Sequence, residues 1–519
     1  MGPVSRWVWR YVDRHRPKPI ERAKAEVRAR VPSAGKATRR AVRELDDRTG
    51  AAQFGHSLLD KIFPDHWSFF LGEIALYCFV VLVATGVFLT LYYVPSSVKV
   101  IYHGPYRPLD GQRVSEAFAS SMNLSFGVRA GLLVRQMHHW AADIFIGAIV
   151  VHMSRVFFTS AYRKPRGMNW AIGVTLLMVA IVNGYLGYSL PDDLLSGTGV
   201  RIGYGIVESI PFVGSYLAFW IYGGNPPGPD TLHRFFVAHI FIVPLLLFGL
   251  LGAHLALIFR QEHTQWPGEG RTEKNVVGLP MWPTFVAKTT GLLLMVAGVL
   301  GIMAGLAQID PIWQYGAYDP SKASSAAQPD WYTGWLEGAL RLMPSWEWTG
   351  WGHTVVWVVF VPAVVLPVAT FLFLYAWPLV DRVWTGDREI HHLLVAPRRR
   401  PLHTALGATV FAFYFMLLFA GGDDVLAGFL GVSVGVMVWV LRVAVLVVPA
   451  VVGITTLKIC RGLLPEAMPR ARSMVALTAD HHFELRREVT GSRGPDREPA
   501  PVPDVILGAP GPREEAPQP

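Results

Sequence analysis

Cysteine is almost missing from the sequence. Two stand in 519 residues, Cys78 and Cys460, with no C-x-x-C pair. This leaves no basis for a disulfide framework, a cysteine-ligated iron–sulfur cluster or the usual attachment motif of a c-type haem. Charge is scarce as well, at 16% of residues against about 25% in soluble domains. No repeat of fixed period is visible. The first 60 residues lack the short apolar core of a cleavable signal and carry many Arg and Lys instead. They are expected to form a basic cytoplasmic arm near anionic lipid. The net charge of +9 needs no nucleic acid to explain it. From about residue 490 the Pro, Gly and charge content is that of a disordered tail.

What the chain does have is apolar length, with 52% hydrophobic and 12% aromatic residues. Runs able to span about 30 Å of hydrocarbon occur near 69–93, 133–158, 168–190, 234–258, 284–307, 354–377, 402–420 and 428–456. The expected fold is an all-α membrane protein of eight transmembrane helices. Basic residues crowd the arm, the connections 159–167, 259–275 and 381–401, and the tail. These alternate with the connections 94–132, 191–233, 308–353 and 421–427, so the basic set is expected inside with both termini.

Histidine carries the chemistry. In "RQMHHWAADIFIGAIVVHMSR" (135–155), His138 and His152 are 14 residues apart, about 40° from eclipse and roughly 21 Å along one helix. In "RFFVAHIFIVPLLLFGLLGAHLALIFR" (234–260), His239 and His254 are 15 apart, about 60° from eclipse on the other side. A lone membrane histidine is commonly a hydrogen-bonded core residue. Two matched pairs on helices entering from the same side offer two imidazoles at each depth, which suits bis-histidine haem ligation by His138 with His239 and by His152 with His254. Zinc fits less well, because two histidines do not complete a tetrahedral site. Gly72 with Gly86, and Gly173 with Gly187, repeat the 14-residue interval. Glycines often serve helix packing, but here they also let backbone approach a flat macrocycle. Arg135 and Arg155 lie three residues from His138 and His152. They could pair with haem propionates or snorkel to the interface. His139 points elsewhere and is not expected to be a ligand.

With these features, R-x-M-H at 135–138, "GYSLP" at 187–191, "FVGSYLAFWIYGG" at 212–224, "RFFVAHIF" at 234–241 and "PDWY" at 329–332, the chain resembles the cytochrome b subunits of quinol–cytochrome c reductases over residues 65–420. The arm and tail look like the menaquinol-oxidising actinobacterial form. The resemblance implies a basic arm to residue 60, a di-haem four-helix bundle over 61–260, a four-helix C-terminal part over 261–460 and a tail over 461–519. It implies two b-type haems, menaquinol oxidation at an outer loop holding Pro329, Asp330, Trp331 and Tyr332, and an inner quinone site. Asp330 stands where relatives carry glutamate, and could accept a quinol proton while Tyr332 positions the ring. Pro191, Asp192, Asp193 replace a frequent Pro-Trp-Gly. Lys288 and Thr289 replace a lysine–aspartate step, leaving Arg260, Glu262, His263 and Lys288 as inner-site candidates. Implied partners are a Rieske-type iron–sulfur protein, a c-type cytochrome, a second copy of the complex and a terminal oxidase, in a bacterial plasma membrane. The rivals are a di-haem anchor that relays electrons for a dehydrogenase, and a transporter using the histidines as proton relays. The aromatic outer loop and four further helices argue against the first, the paired spacings against the second.

Overall fold

In a computed structural model of the chain, residues 59–463 are described, apart from 225–226 and 323–327. The basic arm and nearly all of the tail lie outside the described residues. Every apolar run forms a helix of membrane-crossing length: α1 (Trp67–Thr90), α2 (Gly131–Phe158), α3 (Gly167–Tyr188), α4 (Thr231–Gln261), α5 (Met281–Leu306), α6 (Trp357–Thr385), α7 (Pro401–Gly421) and α8 (Val434–Gly462). In α4, α5 and α6 the chain buries only 11% of the most apolar window, so most of their surface is left for lipid or a partner.

Two helices, α6 and α8, differ in extent from the hydropathy reading. His353–Val356 pairs with Glu347–Gly350 as an antiparallel hairpin, so α6 starts later, and it runs on to a stop at Gly386, whose φ is +68°. Residues 428–430 belong to a short helix, Asp423–Leu430, closed by Gly431 at φ +68°. A left-handed C-cap is a conformation glycine adopts without a Cβ penalty, and α8 therefore begins only at Val434.

The alternation of connections inferred from charge agrees with their mutual contacts. At one end Met281 donates to the carbonyl of Lys61, His391 to Lys164 and Val395 to Thr159. Buried Arg166 bonds the carbonyls of His391 at 2.6 Å, Glu262 at 3.0 Å and Gln261 at 3.3 Å, tying three connections together. At the other, loop-rich end Leu194 donates to Gly316, Tyr318 to Asp192 and the Gln136 amide to the carbonyl of Ile309.

Between these ends α1, α3 and α4 meet at Phe79, Val179 and Leu247, with Phe145 of α2 against them. Phe145 lies seven residues from both His138 and His152, and Phe79 seven from both Gly72 and Gly86. The middle of the four-helix bundle is thus an apolar layer between two polar levels.

The surface helix Trp331–Leu342 lies across α7 at very close range. A Cβ on Gly338 would strike the carbonyl of Leu417, and one on Gly334 would come within 2.8 Å of Leu418. Only glycine permits this crossing, which fixes the turn at 329–332 over α2 and α3. Gly338→Val should therefore cost about 1–3 kcal/mol by overpacking. A thermal melt of the purified protein unchanged from wild type would contradict this.

Candidate functional site

Each of the four histidines lies against one of the four glycines. A Cβ added to Gly86 would lie 3.3 Å from the His138 ring, one on Gly72 3.1 Å from His152 and one on Gly173 3.7 Å from His254, while one on Gly187 would collide with His239. α1 is therefore pressed against the α2 imidazoles and α3 against those of α4.

The 15-residue interval in α4 raises a problem of phase that a backbone irregularity resolves. Ala238–Ile242 is a π-helical turn, which holds one residue more than an α-turn. Absorbing one residue removes about 100° of rotation, so His239 and His254 take the same phase as His138 and His152. The cause is legible in sequence: Pro244 has no N–H, and its ring opposes the carbonyl four residues back. The offset of opposite sign expected above is thereby corrected.

At the loop-rich level the ring centroids of His138 and His239 are 6.1 Å apart. The Thr85 hydroxyl donates to the carbonyl of Val81 at 2.7 Å, so it is free to accept from Nδ1–H of His138 at 2.9 Å. Nδ1 of His239 donates to the Asn183 carbonyl at 3.0 Å. Both rings thus keep Nε2 as the unprotonated nitrogen. Two metal–imidazole bonds of about 2.0 Å with two ring radii span on the order of 6 Å, in keeping with the observed separation.

A cavity of about 410 Å³ opens here. His138, His239, Gly86, Gly187, Arg135, Asp330 and Tyr332 all line it. Buried Nε of Arg135 at this level, and Nε and Nη2 of Arg155 at the other, have no hydrogen-bond partner. Unsatisfied guanidinium N–H groups in a protein interior suit an anion. Close-approaching glycines, unprotonated Nε2 atoms and arginines with unsatisfied N–H groups together fit a haem with its propionates.

The Pro329–Tyr332 turn adds a second polar group to the same cavity. Asp330 accepts from His139 Nε2 at 2.8 Å and from the Tyr332 hydroxyl at 2.9 Å. Burial and the neighbouring Asp330 charge hold the Tyr332 phenol well above its ordinary range, so Tyr332 acts as a donor. It packs on Gly184, while Trp331 lies against Gly147. Asp143, one turn below His139, places a carboxylate oxygen within 4.8 Å of the ligand atoms of His139 and Asp330. One of its oxygens is buried without a partner. Sequence reading set His139 aside and missed Asp143; the available signal was a carboxylate in an apolar helix, four residues after that histidine.

At the arginine-rich end the candidates separate. His263 packs against Phe63 with centroids 4.4 Å apart and ring planes inclined by 53°, and burial with nearby Lys61 and Arg166 pushes its imidazole down to about 4. Glu262 faces Lys61 at 3.9 Å. Lys288 pairs with Asp65 and lies over the Phe70 ring. Arg260 is exposed. Thr289 donates to Glu73 at 2.5 Å and meets the Tyr77 hydroxyl. Glu73 and Tyr77, polar residues four apart in an otherwise oily α1, were passed over in the sequence reading.

Comparison with known proteins converges on one group. The family model for Cytochrome b(N-terminal)/b6/petB matches residues 143–317. The cytochrome bc1 complex cytochrome b subunit of Streptomyces coelicolor is 48% identical over 80% of this chain and 76% of its own length. That of Corynebacterium diphtheriae is 46% identical over 81% and 77%, and that of Mycobacterium tuberculosis 45% over 83% and 78%. A solved structure described as a hyperthermophilic respiratory Complex III matches 81% of this chain and 100% of its own, with a TM-score of 0.60 at 21% identity, a likeness of fold.

Thr85→Val keeps the shape of the residue but removes the acceptor for His138 Nδ1–H. Iron bound at the loop-rich level should then show a higher midpoint potential, because its imidazole becomes a weaker donor. The potential at the other level should stay put. Equal potentials in variant and wild type would refute this role for Thr85.

Proposed function

The chain belongs to the cytochrome b subunits of cytochrome bc1 complexes, and from that premise we propose that it oxidises menaquinol at its loop-rich end and reduces a quinone at its arginine-rich end. As a component of a quinol–cytochrome c oxidoreductase it is a multi-pass membrane protein of respiratory electron transport, and its family carries b-type haems and interacts with quinones. The loop-rich end is the outer face and both termini are cytoplasmic, in keeping with the basic connections.

One observation carries the reading: a single cavity holds both the His138–His239 pair and the Asp330–Tyr332 pair. A membrane anchor that only relays electrons has no need of a hydrogen-bonded carboxylate beside its outer ligand pair. His138 with His239, and His152 with His254, would hold two haems, their propionates on Arg135 and Arg155. When bound, these haems supply one-electron chemistry at two levels across the bilayer, so that quinol's two electrons take separate paths, one to an iron–sulfur protein and one inward.

The residues of the chain do the rest. Asp330, oriented by Tyr332 and His139, accepts the proton of a quinol hydroxyl. Trp331 walls the turn, and the apolar layer of Phe79, Phe145, Val179 and Leu247 keeps water and protons from crossing between the two levels. At the inner face Lys288, His263, Glu73 and Tyr77 supply donors and acceptors for a quinone and its protons. A Rieske-type protein and a c-type cytochrome receive the outgoing electrons, in a dimeric complex that can associate with a terminal oxidase.

Two measurements test this. The purified complex should contain two b haems per chain, and His239→Leu should retain only the inner one. No haem in folded wild-type protein would end the proposal. Asp330→Asn should keep both haems yet slow menaquinol oxidation by roughly 10²–10⁴-fold, the usual range for loss of a general base. Full turnover in that variant would remove Asp330 from the reaction.

A further inference from the structure

Pro191, Asp192 and Asp193 lead from α3 into a surface helix, Leu194–Glu208, and their carboxylates have no part in the reading so far. Asp193 is fully buried. Its Oδ2 caps that helix, accepting from Leu195 N–H at 3.0 Å, while Oδ1 is buried with no partner. The segment is fastened to 316–318 by bonds from Leu194 to Gly316 and from Tyr318 to Asp192, both 2.9 Å. Asp310, held at φ +46°, gives its carbonyl to both terminal nitrogens of Arg135 at 3.3 Å. It lines the same cavity as His138 and His239.

A carboxylate removed from water is costly unless a cation or a proton neutralises it. The groups facing this pair are Arg135 and His139 from α2, Tyr188 from α3, Tyr315 from the turn after α5, and Asp330. Arg135 is the one permanent cation among them. It spends its terminal nitrogens on a carbonyl, and in the proposed reading it also faces a propionate.

We propose that Asp193 and Asp310 together hold one exchangeable proton, taken from the outer aqueous side when the neighbouring haem gains an electron and returned there when it loses it. The inference rests on the reading of this cavity as the outer haem seat. Charge balances in each direction. One electron reduces ferric to ferrous iron and one proton converts a carboxylate to a carboxylic acid, so the buried region gains no net charge. Burial, followed by the like charge of Asp310, pushes the Asp193 carboxyl up to about 7, which puts the exchange near neutral pH.

The sign follows from linkage. Well below that pH the proton is bound in both redox states, and the outer midpoint potential is level. As pH rises through neutrality the oxidised form releases the proton first, so the potential falls, at most by about 59 mV per pH unit for one proton per electron.

The experiment is a spectroscopic redox titration of both haems in the purified complex from mildly acidic to mildly alkaline pH. Wild type should show the falling outer potential. Asp193→Asn, which preserves a capping oxygen, should raise that potential at alkaline pH and flatten its slope while the inner haem is unaffected. Asp310→Asn should do the same without touching the cap. A level outer potential in wild type overturns the inference without any variant, and so does a slope that survives both substitutions. Absence of haem would instead defeat the underlying reading of the cavity.

Discussion

The fit of imidazole against glycine backbone, repeated at an interval of 14 residues, is the constraint to which the rest of the structure conforms. It occurs at two levels on two helix pairs, Gly72 and Gly86 against His152 and His138, and Gly173 and Gly187 against His254 and His239. For helices of 3.6 residues per turn, four pairs of positions stay in phase only if every interval is equivalent. α4 has the discrepant interval of 15, and the π-turn before Pro244 restores it. The apolar layer at Phe79 and Phe145 then falls midway by arithmetic alone, which separates the two polar levels without any further device.

Holding the turn at Pro329–Tyr332 over the loop-rich level requires the second half of the molecule. Its helix rests on α7 through glycines, and the loop just before it is tied by Gln328 to Asp424 at 2.8 Å. Arg341 of the same helix binds Glu337 and Asp423. The C-terminal helices therefore act on chemistry in the N-terminal bundle by positioning one short turn. This gives the four C-terminal helices a part in the site although none of the four paired histidines lies in them.

The features read from sequence were those with a period or a length. Eight spans, their alternation, and the shared interval of the histidines and glycines all follow from 3.6-residue geometry and bilayer thickness. The two misplaced helix starts, of α6 and α8, had local causes, a hairpin and a left-handed glycine cap inside apolar stretches, which hydropathy does not register. Residues whose roles depend on contacts between distant segments were invisible. His139 meets Asp330 from 191 positions away, and Arg166, counted as one more basic residue facing the cytoplasm, is a buried clamp on the backbone of two other connections. The same holds for Asp193 and Asp310, which become a pair only through the folding of two loops. Pro244 is the exception, since its effect on helix phase could have been deduced beforehand.

The Arg166 clamp also bears on the order of biogenesis. Three of its four acceptors are the carbonyls of Gln261 at the end of α4, of Glu262 just after it and of His391 in the connection after α6, and the fourth is the ring of His392. Chains emerge from the ribosome from the N-terminus, so α1 to α4 enter the membrane with this guanidinium still short of partners. The clamp on the four-helix bundle thus stays incomplete until residues 391 and 392 have been made. Closure of the arginine-rich end is thus a late event in the making of the chain, set by the position of one connection in the sequence.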